Sequence, residues 1–193
     1  MSALDLSTKP DGSCEVFAFP PTPQQQQLWF LDQLDPGNPA YNIPLAYEVR
    51  GDLDADALDE SLRWVVNRHD TFRTVFGIRG EELKQIVRSE LPISFHRVDL
   101  TSLAEAEREV ARRREVTDAA AFRFDLATGP LVRGELLVLE RARHVVVFNF
   151  HHIILDHLSL LQFAHEFCRA YSCFSTSTIS SWMLLFEATI SFP

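Results

Sequence analysis

His151 and His152 stand side by side, five and four positions ahead of Asp156, and His157 follows the aspartate directly in the stretch "HHIILDHLS". A neutral imidazole near pH 7 accepts a proton readily. An α-amino nucleophile has a pKa of about 8, so a histidine can relieve it of a proton at small cost. Acyl transfer from an activated donor such as a thioester then asks for three things: a positioned base or donor, a site for the developing oxyanion, and a channel that joins the reactants. One histidine on a rigid strand end meets the first requirement. Asp156 could orient that histidine, or turn inward and pair with an arginine to fix the loop. Taken singly, His151 is more commonly a packed strand-end residue than a catalyst. His69, His96, His144, His157 and His165 have weaker individual claims.

The elements around the motif are legible from periodicity. Residues 131–139 and 144–150 read as a strand pair joined by "ERAR". The second of these, "HVVVFNF", is nearly all apolar, as expected of a strand buried on both faces. Residues 157–171 read as a helix with Leu161, Ala164, Cys168 and Tyr171 in register. The histidines therefore occupy a strand-to-helix junction, where α/β proteins commonly place chemistry. Upstream, residues 54–69 form the strongest helix, with Leu58, Leu62, Val65 and Val66 as its apolar stripe and Asp59 paired to Arg63 one turn on. Thr22 is a helix cap after "FPP", and Leu28, Leu31 and Leu34 share one face of a short helix. Residues 45–51, "FRTVFGI" and "KQIVR" read as strands. Residues 101–116 form a helix whose Arg112, Arg113 and Arg114 are answered by Glu107 and Glu109.

The 193 residues make one domain with a sizeable core. A formal net charge of -9 argues against a surface that tracks nucleic-acid phosphates. Cys14, Cys168 and Cys173 are too few and too scattered for a disulfide framework or a zinc knuckle, and fit incidental thiols in a reducing cytoplasm. The first twenty residues lack the basic start and unbroken apolar stretch of a signal peptide. The apolar run of residues 182–192 is too short to span a bilayer and contains Glu187.

Three units are expected: a flexible start over residues 1–15, a folded unit over 16–171, and a tail over 172–193. The tail has no lysine or arginine and a single acidic residue, Glu187, in contrast to the chain before it. Its serines and threonines follow neither a helical nor an alternating pattern. It reads as foreign to the domain: a frameshift, a retained intron or a premature gene end.

Three stretches, in order, carry a family resemblance: "TPQQQQLWFLDQLDPGNPAYNIP" (22–44), "NRHDTFRTVF" (67–76) and "FHHIILDHLS" (150–159). They resemble the first three core motifs of nonribosomal peptide synthetase condensation domains, approximately S-x-A-Q-x-R-L-W-x-L, R-H-E-x-L-R-T-x-F and H-H-x-x-x-D-G. The resemblance spans about residues 17 to 171. It implies an α/β fold: the N-terminal lobe of a chloramphenicol-acetyltransferase-like condensation domain, a mixed sheet flanked by helices, with the second lobe missing. It implies amide formation between a carrier-bound acyl or peptidyl thioester and a carrier-bound aminoacyl amine. His152 would be the catalytic residue and His151 the loop's support. Asp156 would be structural, paired with an arginine for which Arg73 is the candidate. No cofactor of its own is implied, only the phosphopantetheine arms of partner carrier proteins. The remaining partners are neighbouring synthetase domains in the cytoplasm, with no nucleic acid, membrane or metal.

Two departures stand out. His157 replaces the glycine after the aspartate, which can narrow the channel beside His152, and Gln27 replaces the arginine of the first motif. The chain also stops where the second lobe of such a domain should begin. A half-cleft does not exclude water from two pantetheine arms, so the isolated chain is expected not to condense substrates at a useful rate. Two alternatives stay open: a non-catalytic fragment that binds a carrier protein or a complementary lobe, and a coenzyme A-dependent acyltransferase of the same superfold. A metal reading resembling "HxHxDH" fits His152, Asp156 and His157 but meets Ile154 where a second histidine ligand belongs.

Overall fold

The computed structural model describes residues 15–176 and 179–184. The expected flexible start lies outside the described residues up to position 14. Glu15–Phe19 form strand β1, and Thr22 caps helix α1 (Pro23–Leu34). The cap is reciprocal: the Gln25 amide N–H donates to Thr22 Oγ1 at 3.2 Å, and the Thr22 N–H donates to Gln25 Oε1 at 2.8 Å. Such a box satisfies two orphan donors of the first turn.

A 3-10 turn (Pro39–Tyr41) leads into β2 (Asn42–Gly51), and α2 follows (Ala55–Arg68). A second 3-10 turn (Asp70–Arg73) enters the hairpin of β3 (Thr74–Arg79) and β4 (Glu82–Arg88). Then come β5 (Phe95–Asp99), α3 (Glu105–Ala120), β6 (Val132–Glu140), β7 (Arg143–His151), α4 (His157–Phe174) and β8 (Ile179–Leu184).

The strands make two sheets, one of order β1-β4-β3 and one of order β5-β6-β7-β2-β8. The larger sheet is mixed: β5 runs parallel to β6, and its other pairs are antiparallel. The expected α/β class, a mixed sheet flanked by helices, is what the chain adopts. β7 sits at the centre and is buried on both faces, as its apolar run requires. Val146, Phe148 and Phe150 face α2 and α4 in the larger core, while Val145 and Val147 meet Val116 and Ala119 of α3. Phe148 anchors the larger core. Its ring lies 4.9 Å from Phe167 and 5.2 Å from Phe163, both edge-on, an arrangement that aromatic quadrupoles favour.

The stripe of α2 is as expected: Leu58, Leu62, Val65 and Val66 are all buried. Asp59 is not paired with Arg63. It accepts the Phe95 N–H at 2.7 Å and holds Arg97 at 2.5 Å, so it ties α2 to β5, while Arg63 turns to Glu60. The face of α4 is rotated from the expected one. Leu160, Phe163, Phe167, Ala170 and Tyr171 are buried, whereas Leu161 and Cys168 are exposed. Leu34 of α1 also points outward, and Asp32 is buried instead, accepting the N–H of Gly37 at 2.8 Å. Gly37 has φ +70°, which favours glycine in this turn.

The boundary expected after Tyr171 falls inside α4, which continues to Phe174. Residues 179–184 then pair with β2 along the sheet edge, and residues 185–193 lie outside the described ones.

Candidate active site

β7 delivers the histidines. Its last residue, His151, is 1% exposed and lies opposite Asn42 of β2. The His151 N–H donates to the Leu131 carbonyl at 2.9 Å, and its ring packs beside Tyr41 and Phe124 at centroid distances of 6.3 and 6.2 Å. Its Nδ1 accepts the N–H of Ile153 at 3.2 Å. That bond requires a neutral ring protonated on Nε2. Burial, with a smaller contribution from neighbouring His152, pushes the His151 pKa down to about 4. The ring is therefore neutral at pH 7 and serves as a backbone acceptor inside the loop.

His152 is the opposite case. Its side chain is exposed while its N–H donates to the Tyr41 carbonyl at 2.8 Å. The backbone is thus pinned and the imidazole is free to meet a reactant. Ile153, Ile154 and Leu155 are buried, so the loop is anchored by three apolar side chains just after the exposed ring.

Two other motifs reach this loop. The Gln25 side-chain amide donates to the Ile153 carbonyl at 3.3 Å, and the Thr71 hydroxyl donates to the carbonyl of Ile154. Near the same turn, His69 Nε2 meets Glu166 Oε2 at 2.7 Å, which couples the end of α2 to α4. The Glu166 carboxyl is held below the usual range, chiefly by hydrogen bonds from Gln162 and His69. Asn149 and Asn42 donate to the last carbonyls of α3, at Ala119, Ala120 and Phe122, and so close off the polar column beneath His151. Gln25, Thr71 and the Tyr41 carbonyl were not among the expected site residues, although each falls within one of the three motifs.

Asp156 does not pair with Arg73. It caps α4, accepting the Ser159 N–H at 2.8 Å, and that bond lowers its pKa from the usual carboxylate value. The Arg73 guanidinium is engaged elsewhere. It pairs with Asp70 at 2.6 Å and donates to the carbonyls of Val66, Asn67, Arg88 and Ser89. An arginine has five N–H donors, and here backbone acceptors around the end of α2 and β4 claim them. The side chain of His157 lies outside what the structure describes.

A cap needs an acceptor oxygen, not a charge. Asp156→Asn is therefore expected to melt with the parent, while Asp156→Ala lowers the midpoint by about 2–4 °C. Thermal unfolding followed by circular dichroism checks both. Equal losses in the two variants would favour an ion pair instead.

Among the described residues no three metal-donor side chains converge. Beside the Pro39–Tyr41 turn, a groove of about 560 Å³ opens between the β2–β7 face and α3, lined by Pro39, Ala40, Pro44, Ala46, Val116 and Val147.

Residues 18–180 match the family model described as the condensation domain. The chain belongs to that family. A linear gramicidin synthase of Brevibacillus parabrevis is 41% identical over 151 residues, covering 78% of this chain and 2% of the synthase. Chondramide synthase cmdD of Chondromyces crocatus is 38% identical over 158 residues, covering 82% of this chain and 4% of that protein. The solved starter condensation domain of rhizomide synthetase superposes with a TM-score of 0.74 at 25% identity, over 81% of this chain and 38% of that one. The chain is thus a nonribosomal peptide synthetase condensation domain in its matched part. It spans well under half of the solved domain's length, and a few per cent of these synthetases.

Proposed function

We propose that this condensation-domain chain supplies the histidine side of an amide-forming site. The acceptor is an aminoacyl amine and the donor an acyl or peptidyl thioester, each held on the phosphopantetheine arm of a carrier protein. The amine nitrogen attacks the thioester carbon, and a C–N bond forms. His152 Nε2 or Nδ1 takes the ammonium proton as the nitrogen becomes an amide. The C–S bond then breaks, and the proton passes to the departing thiolate. His151, Asp156 and Arg73 act on this chemistry through the loop's geometry. His157, directly after the capping aspartate, borders the same junction.

One observation carries the reading: an exposed imidazole whose backbone is pinned, at the end of a strand buried on both faces. General bases work by such fixed placement within reach of the proton. The unit assigned to this role is residues 16–171, with residues 172–193 taken as a segment apart. The proposed partners are carrier proteins and neighbouring synthetase domains in the cytoplasm. Among the described residues no helix is long and apolar enough to cross a membrane.

The test places residues 18–180 in the condensation domain of the linear gramicidin synthase, in place of the matching stretch. Two carrier proteins are loaded, one with the acyl donor and one with the amino acid. Amide product on the acceptor carrier, read by mass spectrometry, is the expected result. A folded chimera that binds both carriers but forms no amide would overturn the proposal in favour of a binding module. Product made only from acyl-coenzyme A and an alcohol would favour an acyltransferase.

A further inference from the structure

The loop after His151 is held on two sides by different means. On the sheet side its amides are all engaged: His152 to the Tyr41 carbonyl, Ile153 to His151 Nδ1, and Ile154 to the His151 carbonyl. Two of those three bonds close within the loop itself, so they shape it without fixing where it sits. On the opposite side, two successive carbonyls are taken by side chains from distant parts of the chain. Gln25 of α1 holds the Ile153 oxygen across 128 positions of sequence, and Thr71 holds the Ile154 oxygen across 83.

Each of these donors is itself locked. The Gln25 amide oxygen closes the capping box of α1, so its nitrogen has one direction left to point. Thr71 rides on a 3-10 turn stitched by Thr74 Oγ1 to the Asp70 carbonyl at 2.8 Å, and by Arg73 to Asp70 at 2.6 Å. A functional side chain stays within a productive geometry only when its supports are fixed in this way.

We infer that Gln25 and Thr71 are positioning residues for His152, acting as a two-point clamp on the adjacent carbonyls of its loop. This deepens the proposed role of His152 and rests on it for its catalytic meaning. The clamp itself is a property of the folded chain and is measured without substrate. The glutamine does two jobs that can be separated. Glutamate at position 25 keeps an oxygen for the Thr22 N–H but loses the donor to Ile153, and sets a carboxylate against that carbonyl. Valine at position 71 keeps the shape of threonine and loses only the hydroxyl. Serine keeps the hydroxyl.

The experiment is amide hydrogen exchange and histidine-ring NMR on the 193-residue chain and on Gln25→Glu, Thr71→Val and Thr71→Ser. In the first two variants, exchange at His152, Ile153 and Ile154 is expected to rise by about tenfold, the range opened by loss of one hydrogen bond. The His152 ring signals shift with it, while ladder amides of β6 and β7 such as Val146 stay within about twofold. Thr71→Ser is expected to match the parent. Unmoved His152 signals and unchanged loop exchange in both variants would overturn the clamp. So would a rise shared equally by loop and ladder, because the two residues would then serve the whole fold. No acyl transfer enters these readouts, so a chimera that fails to form amide leaves the clamp standing, and the converse also holds.

Discussion

Alanine at position 152 is expected to lower amide formation by the chimera about 10²- to 10⁴-fold, the range that a positioned general base supplies. The size of this effect follows from how little else the side chain does. The His152 ring is exposed, so its loss leaves no cavity in the core. Its structural contribution is the N–H bond to the Tyr41 carbonyl, which alanine retains. Surface substitutions of this kind move stability by about 0.5 kcal/mol or less. Activity and stability should therefore separate cleanly. Single-turnover product formation measures the first, and a denaturant midpoint the second. His151→Ala should behave in the reverse manner, since that ring is buried and accepts the Ile153 N–H. A loss under about tenfold for His152→Ala, in a chimera that melts with its parent, would remove the histidine from proton transfer.

The strand ending in the histidines was readable because its chemistry is local. An unbroken run of valines and phenylalanines has one comfortable place in a domain, and β7 occupies it. The stripe of α2 was readable for the same reason: its polar and apolar positions differ sharply. Helix α4 was not, because it is apolar on more than one side. Leu161 with Cys168, and Phe163 with Phe167, both satisfy helical spacing. Contact with the rings of Phe148 and Phe150 decides between them, and those rings belong to a strand that only the fold brings near. Strand β5 is five residues long with a polar centre, and it is fixed by a parallel neighbour and by Asp59 of α2. None of that shows in its own letters.

The site divides along the same line. His151, His152 and Asp156 were visible as residue types at a spacing, and the motif order gave the family. The pairing of Asp156 with Arg73 follows charge logic, which looks for an opposite side chain. Both residues instead bind backbone groups, a helix N–H for Asp156 and a ring of carbonyls for Arg73. Gln25 and Thr71 were hidden for that reason too. Every residue carries a carbonyl, so a sequence cannot show which ones will be left facing a donor.

The second large effect is on stability against pH, and it comes from His151. Its pKa is about 4 in the folded chain because burial disfavours the charged ring, against about 6.5 for an unfolded histidine. Between these values the unfolded chain binds a proton that the folded chain refuses. The stabilisation is complete above about pH 6.5 and is lost progressively as the pH falls to about 4, below which this group adds no further slope. The difference between the two pKa values corresponds to about 3 kcal/mol. Asparagine can place an amide oxygen near the Nδ1 position and does not titrate. The test compares urea unfolding of the parent and His151→Asn at pH 4, 5, 6 and 7. His144, also lowered by burial, and Glu135, raised by burial, titrate in both proteins and cancel in the difference. The depressed carboxyls of Glu48, Glu109 and Glu166 cancel likewise. The parent's stability relative to His151→Asn is expected to fall by about 3 kcal/mol between pH 7 and pH 4. A flat difference would mean that His151 is not held neutral by the fold. The consequence reaches the neighbouring residue: a proton on Nδ1 removes the acceptor for the Ile153 N–H, so acid loosens the loop that presents His152.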